Sequence, residues 1–137
     1  MICTFFGHRD YSGKENEKIK IEIIKLINLG VTQFYVGHNG SFDSEVISIL
    51  KELKETFEQI NFLIVLSRLD SFLMKQYETI FPDEIEEALP KFRIIKRNKW
   101  LIDKSDIVIS YVRNSFTNGA SRFTEEARKK GKIIISI

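Results

Sequence analysis

Three short stretches carry the residues whose types and spacing could do chemistry. They are GHRD at 7–10, GHNGSFD at 37–43 and RNSFTNGAS at 113–121. Each sets glycine and polar or charged side chains behind an apolar run. Glycine lets a backbone turn sharply and approach a ligand closely. A helix starting at such a break offers unpaired N–H groups and a partial positive charge. Arg9 adds a fork of donors that matches a phosphate oxygen. Taken together this is anion-binding chemistry, suited to phosphate or ribose. Each stretch also has a plain structural reading. GHRD can be a tight turn whose Arg9 pairs with a surface carboxylate. Gly37 and Gly40 can serve backbone geometry alone, and Asp43 can cap the helix that follows. A fourth stretch, KFRIIKRNKWLID at 91–103, sets Arg93 and Arg97 one turn apart on a shared face, with Asn98 beside Arg97. Neither GxGxxG nor GxxxxGK[ST] occurs, so dinucleotide oxidoreductase and P-loop NTPase chemistry lose their main support.

Regular elements must position these residues, and the apolar periodicity predicts them. ICTFF reads as a strand, and 14–29 as a helix with Ile19, Ile23, Leu26 and Ile27 three or four apart. QFYVG is a second strand. A helix over 42–58 carries Val46, Ile49, Leu50, Leu53 and Phe57 on one stripe. NFLIVLS and DIVISYV are continuous apolar runs, the mark of strands buried on both faces. KFRIIKRNKWLID reads as a helix between them, 121–130 as a short polar helix, and KIIISI as a closing strand. The stretch 68–90 has no clear period and reads as one long connection, either a lid or a plain surface excursion. It holds both prolines and an acidic cluster, Asp83, Glu84, Glu86 and Glu87. Strands alternating with helices predict a single Rossmann-like α/β domain over 1–137, with a parallel sheet of about five or more strands and helices on both faces. Ligands of such sheets sit beyond the carboxyl ends of the strands. Each of the three glycine-bearing stretches GHRD, GHNGSFD and RNSFTNGAS falls at such an end.

Composition narrows the partners. A net charge of +2, from 21 basic and 19 acidic residues, gives no electrostatic reason to expect nucleic acid. The single cysteine, Cys3, rules out an internal disulfide and a multi-cysteine metal site, and its apolar strand marks it as a core residue. With only His8 and His38 as histidines, no metal site is expected. No basic region precedes a long apolar stretch, and no apolar run approaches the roughly 20 residues that span a bilayer. A cytoplasmic protein with no membrane partner and no cofactor is the expectation.

The combination of FFGHR, YVGHNGSFD, FRIIKRNKWLIDKSDIVISYV and NGASRFTEEARKKGKIIISI resembles the SLOG superfamily. This Rossmann-like group includes LOG phosphoribohydrolases and DprA-like proteins. The likeness is strongest to its small YpsA-like branch of Firmicutes and their phages, and it covers nearly the whole chain in motif order. It implies a nucleotide or nucleotide-derived ligand, and a homo-oligomer, since the superfamily often assembles. LOG enzymes cleave an N-glycosidic bond in a nucleoside monophosphate, using PGGxGTxxE. The matching stretch here is FTNGASRFTEE, which sets Asn118 and Gly119 at the paired glycines and Glu125 at the catalytic acid, or Glu126 with a shift of one residue. The proline is absent, and Ser121 and Arg122 replace the following glycine and threonine. These departures favour binding over turnover.

The leading expectation is therefore a nucleotide-binding protein, a sensor or a sequestering protein. Its ligand-binding residues would be Gly7, His8, Arg9, Gly37, Gly40, Ser41, Phe42, Asp43, Arg97, Asn98, Asn118, Gly119 and Ala120. The alternative is a LOG-like phosphoribohydrolase using Glu125 with Arg9 or Arg97. A third class, single-stranded nucleic-acid binding or a protein-interaction module, finds no basic, aromatic-studded groove in the sequence.

Overall fold

Ile19, Ile23, Leu26 and Ile27 are all buried, so the predicted stripe is the inner face of the first helix, α1 (Asn16–Asn28). The computed structural model describes residues 1–113 and 119–137. Before α1 runs β1 (Ile2–Gly7), and after it come β2 (Gln33–Val36), α2 (Ser41–Thr56) and β3 (Asn61–Val65). The second half holds α3 (Ser71–Gln76), β4 (Thr79–Ile80), α4 (Asp83–Glu86), α5 (Arg93–Lys104), β5 (Ile107–Tyr111), α6 (Gly119–Lys129) and β6 (Ile133–Ser136). The described strands form one six-stranded sheet in the order β4-β3-β2-β1-β5-β6. All five pairings are parallel. The Rossmann-like α/β fold expected from the alternation is present, with helices on both faces.

Alternating side chains divide the core in two. Cys3, Phe5, Phe34, Val36 and Ile64 point to the side covered by α1 and α2, where they meet Ile23, Val46 and Leu50. Phe6, Val65 and Val108 point to the other side, against Ile85, Leu101, Ile102 and Phe123 from α4, α5 and α6. Cys3 is fully buried, and desolvation pushes its thiol well above the ordinary range, as a core role requires. Among the described residues no helix is long and apolar enough to cross a membrane.

Strand order reverses between β1 and β5, which makes their carboxyl ends the topological switch point. The register puts Gly7, the last residue of β1, opposite Tyr111, the last of β5. A crevice opens there because the helices that follow the two strands, α1 and α6, pack on opposite faces of the sheet.

The reading of 68–90 as a single irregular connection is corrected. It contains α3, the edge strand β4 and α4. These are too short to show a period, so the pattern was invisible in the sequence. Ile85 is fully buried against the α5 side of the core. Arg93 fixes the end of α4, donating from Nε to the Ala88 carbonyl at 3.0 Å and from Nη2 to the Glu86 carbonyl at 2.8 Å. The segment is thus part of the fold and no free lid. Ile85→Ala is expected to lower stability by about 2–5 kcal/mol in urea unfolding. A loss under about 0.5 kcal/mol, the usual figure for a surface position, would return the segment to a loose excursion.

Candidate ligand-binding site

The loops at the carboxyl end of the sheet are tied to one another strand by strand. His38, just after β2, accepts the Ser67 N–H beyond β3 on Nε2 at 3.0 Å. Arg9, after β1, donates from Nη2 to Asn39 Oδ1 at 2.6 Å. The Arg9 carbonyl accepts both the Ser41 N–H, at 2.9 Å, and the Ser41 hydroxyl, at 2.8 Å. His8 accepts the Arg113 N–H beyond β5 on Nε2 at 2.8 Å, with its ring edge-on to Tyr111. The rim thus runs unbroken from β3 to β5. Gly40 is required in it for two reasons. Its φ is +108°, and a Cβ there would stand 2.6 Å from the Arg9 Cα.

Inside this rim lies a cavity of about 810 Å³ at the switch point. Its polar wall is made by Arg9, Asp10, Asn39, Asp43, Arg97, Asn98 and Arg122, and its apolar wall by Ile94, Ile95, Leu101 and Phe123. Gly119 and Ala120, the first residues of α6, complete it. The size falls within the range of small-molecule pockets, roughly 300–1,000 Å³.

Two charged groups in the wall are taken out of water. Arg97 is 2% exposed and Asp43 9%. They come from helices on opposite faces of the sheet and approach across Gly37. A Cβ on Gly37 would stand 2.8 Å from Arg97 Nη1 and 2.9 Å from Asp43 Oδ2, so only glycine leaves both groups room. Arg97 donates from Nε to Asn98 Oδ1 at 3.0 Å, and more weakly from Nη1 to the Val65 carbonyl at 3.4 Å. Asp43 Oδ2 accepts the Asn39 N–H at 2.8 Å. Burial pushes the Asp43 carboxyl above its usual range, and Arg97 and the Asn39 N–H pull it back. Burial lowers the affinity of Arg97 for its proton, and Asp43 opposes that.

The structure brings together most of the residues singled out from sequence. Gly7, His8, Arg9, Gly37, Asp43, Arg97, Asn98, Gly119 and Ala120 all line the cavity. Asn118 lies outside the described residues. Gly40 and Ser41 act one step back, joining the loops. Phe42 is corrected to a core residue. It is 1% exposed, its ring occupies the space a Gly7 side chain would need, and it packs on Tyr11 and Tyr111. Glu125 is corrected as well. It is exposed on the outer side of α6 and pairs with Arg128, so it does not line the cavity. The helix starts behave unequally. The Tyr11 hydroxyl accepts the Glu15 N–H at the head of α1, and the Arg9 carbonyl takes the Ser41 N–H at the head of α2, which leaves α6 as the start that faces the cavity. Asn39, Asp10 and Arg122 were missed as wall residues. Asn39 sits inside the quoted GHNG motif, and that motif was the available signal.

Comparison with protein-family models gives no match, and comparison with curated proteins gives none either.

The rim makes stability depend on pH through His38. Burial above all, then Arg97 and Arg68, lower its pKa to about 4, with Asp70 opposing. The unfolded chain takes up that proton near 6.5. Stability from neutral His38 is therefore complete above about pH 6.5 and is lost as pH falls toward about 4. Urea midpoints at pH 7 and pH 5 should fall for the wild type, and fall less for His38→Gln. Equal falls in the two proteins would show that His38 does not carry the effect.

Proposed function

We propose that the protein binds a nucleotide or nucleotide-derived small molecule at the carboxyl ends of β1 and β5, as a sensor or sequestering protein. One observation carries this: a single cavity at the switch point combines Arg9, Arg97, Arg122 and the start of α6 with an apolar wall. The arginines and the α6 backbone N–H groups supply what a phosphate needs. Ile94, Ile95 and Phe123 supply a surface for the face of a base. Membership of the SLOG superfamily, in its YpsA-like branch, belongs to the same proposal, as do a homo-oligomer and a cytoplasmic setting, where free nucleotides are met.

The phosphoribohydrolase alternative has less support. A catalytic carboxylate must come within hydrogen-bond reach of its substrate. Glu125 does not line the cavity, and it pairs with Arg128 on the exposed surface. Calorimetry with linear, cyclic and ADP-ribose-type nucleotides tests the proposal, beside mass spectrometry of small molecules released by heat. The ligand should come back intact. Arg9→Ala should weaken binding by about 1.5–3 kcal/mol, roughly 10- to 150-fold. Glu125→Gln should leave affinity unchanged. Multiple-turnover release of free base, lost in Glu125→Gln, would establish the enzyme instead.

A further inference from the structure

We infer that the edge strand β6 is an interaction surface for a second copy of this chain, whose own β6 pairs with it antiparallel. The inference stands apart from the nucleotide. It rests only on the homo-oligomer part of the reading above, to which it gives a surface and a register.

The two edges of the sheet are built differently. β4 is two residues long and is followed closely by Pro82 and by Asp83, Glu84 and Glu86. Shortness, proline and charge all keep an edge from pairing. β6 reads IIIS, with neither proline nor charge. Its inner side is fully used. Ile133 and Ile137 donate their N–H groups to the Asp106 and Ser110 carbonyls, at 3.0 and 2.9 Å. Alternation then turns the N–H and C=O of Ile134 and Ser136 outward, with the Lys132 carbonyl in line with them. Among the described residues no strand lies beyond them. Ile133, on the same strand, is 52% exposed.

Donors and acceptors that recur at every second residue are matched by another extended chain. β6 matches itself. With Ile134 on a two-fold axis, the two copies of Ile134 exchange both N–H to C=O bonds. Each Ser136 N–H then donates to the partner's Lys132 carbonyl. The Lys132 N–H takes no part, because it already goes to the Ala127 carbonyl at 3.1 Å. Side chains agree with this register. Ile133 meets the partner's Ile135, Ile134 meets its own copy, and Lys132 meets the partner's Ser136, so apolar faces apolar and polar faces polar. An axis on Ile135 would set Ile134 against Ser136 instead. The antiparallel sense also keeps the two Lys132 ammonium groups four residues apart, roughly 13 Å along the strands, which exceeds the Debye length of about 8 Å. A parallel pairing in register would put them side by side.

Sedimentation equilibrium of the 137-residue chain over a range of concentrations is the test. The wild type should approach twice 16.0 kDa as concentration rises. Ser136→Pro removes an outward donor and no bond to β5, so it should stay near 16.0 kDa while keeping the wild-type circular dichroism. Ser136 is exposed, so charge there leaves the core alone. Ser136→Glu sets a carboxylate beside the partner's Lys132 twice per dimer and should tighten Kd by about 2- to 30-fold at low salt. Ser136→Lys should weaken it by a similar factor, and adding Lys132→Glu should reverse that loss. If Ser136→Pro does not fold, the opposite responses of the two charged variants decide by themselves. A wild type that stays monomeric would overturn the interface and the homo-oligomer together, while leaving nucleotide binding intact. A dimer that a folded Ser136→Pro does not weaken would overturn β6 as its surface. Equal effects of Ser136→Glu and Ser136→Lys would overturn the register.

Discussion

A guanidinium removed from water governs the carboxyl end of this sheet. Burying a charge costs several kcal/mol, and the cost is met only by good partners. Arg97 finds them in three directions: the Asn98 side chain, the last carbonyl of β3, and the field of Asp43. Asp43 approaches from the opposite face of the sheet, which is feasible only because Gly37 puts no atom between them. Removing one of two buried opposite charges usually costs more than their attraction contributes, since the survivor is left alone in a poor solvent. The glycine after β2, the first turn of α2 and the middle of α5 are therefore one unit, although 60 residues separate Gly37 from Arg97 in the chain.

Low dielectric works on a ligand in the same way. Charges held in a partly dry wall act more strongly than the same charges on an open surface. For the proposed ligand, the hydrogen bonds that join the loops after β1, β2 and β3 hold that part of the wall in place, which lowers the ordering cost of association. A net charge of +2 spread over the chain says nothing of this. The field that matters is local, and it comes from Arg9, Arg97 and Arg122 set against Asp10 and Asp43.

The fold was legible because its signals are periodic. Strands such as IVISY are buried at every position, and α1 and α2 show apolar stripes that survive in the structure. The positions of the glycine-bearing loops were legible too, since topology places them at strand ends. Roles within the loops were not. Phe42 beside Asp43 looks like a ligand contact in sequence, yet α2 turns it into the core and leaves Asp43 facing the cavity. Glu125 matched a motif, but one helical residue is 100° of rotation, and that rotation puts it outside. Arg97 reads as a candidate ligand contact on 91–103 and does line the cavity, but its burial depends on Val65 and Gly37, contacts no local pattern encodes.

The way polar groups are already used bears on whether the crevice binds or catalyses. Catalysis needs interactions that grow stronger in the transition state than in the ground state. Here many are spent before any ligand arrives. Both histidines accept backbone N–H groups on Nε2, which ties them to the scaffold and keeps that nitrogen from serving as a base. Asn39 holds Asp43 with its backbone and Arg9 with its side chain. What remains in the cavity wall is donor capacity on the arginines, beside the Asp43 carboxylate. Such groups complement charge and hydroxyls that a nucleotide carries in its resting state. This pattern of use supports the proposed reading of binding over turnover, since a wall matched to the ground state gives affinity without a lowered barrier.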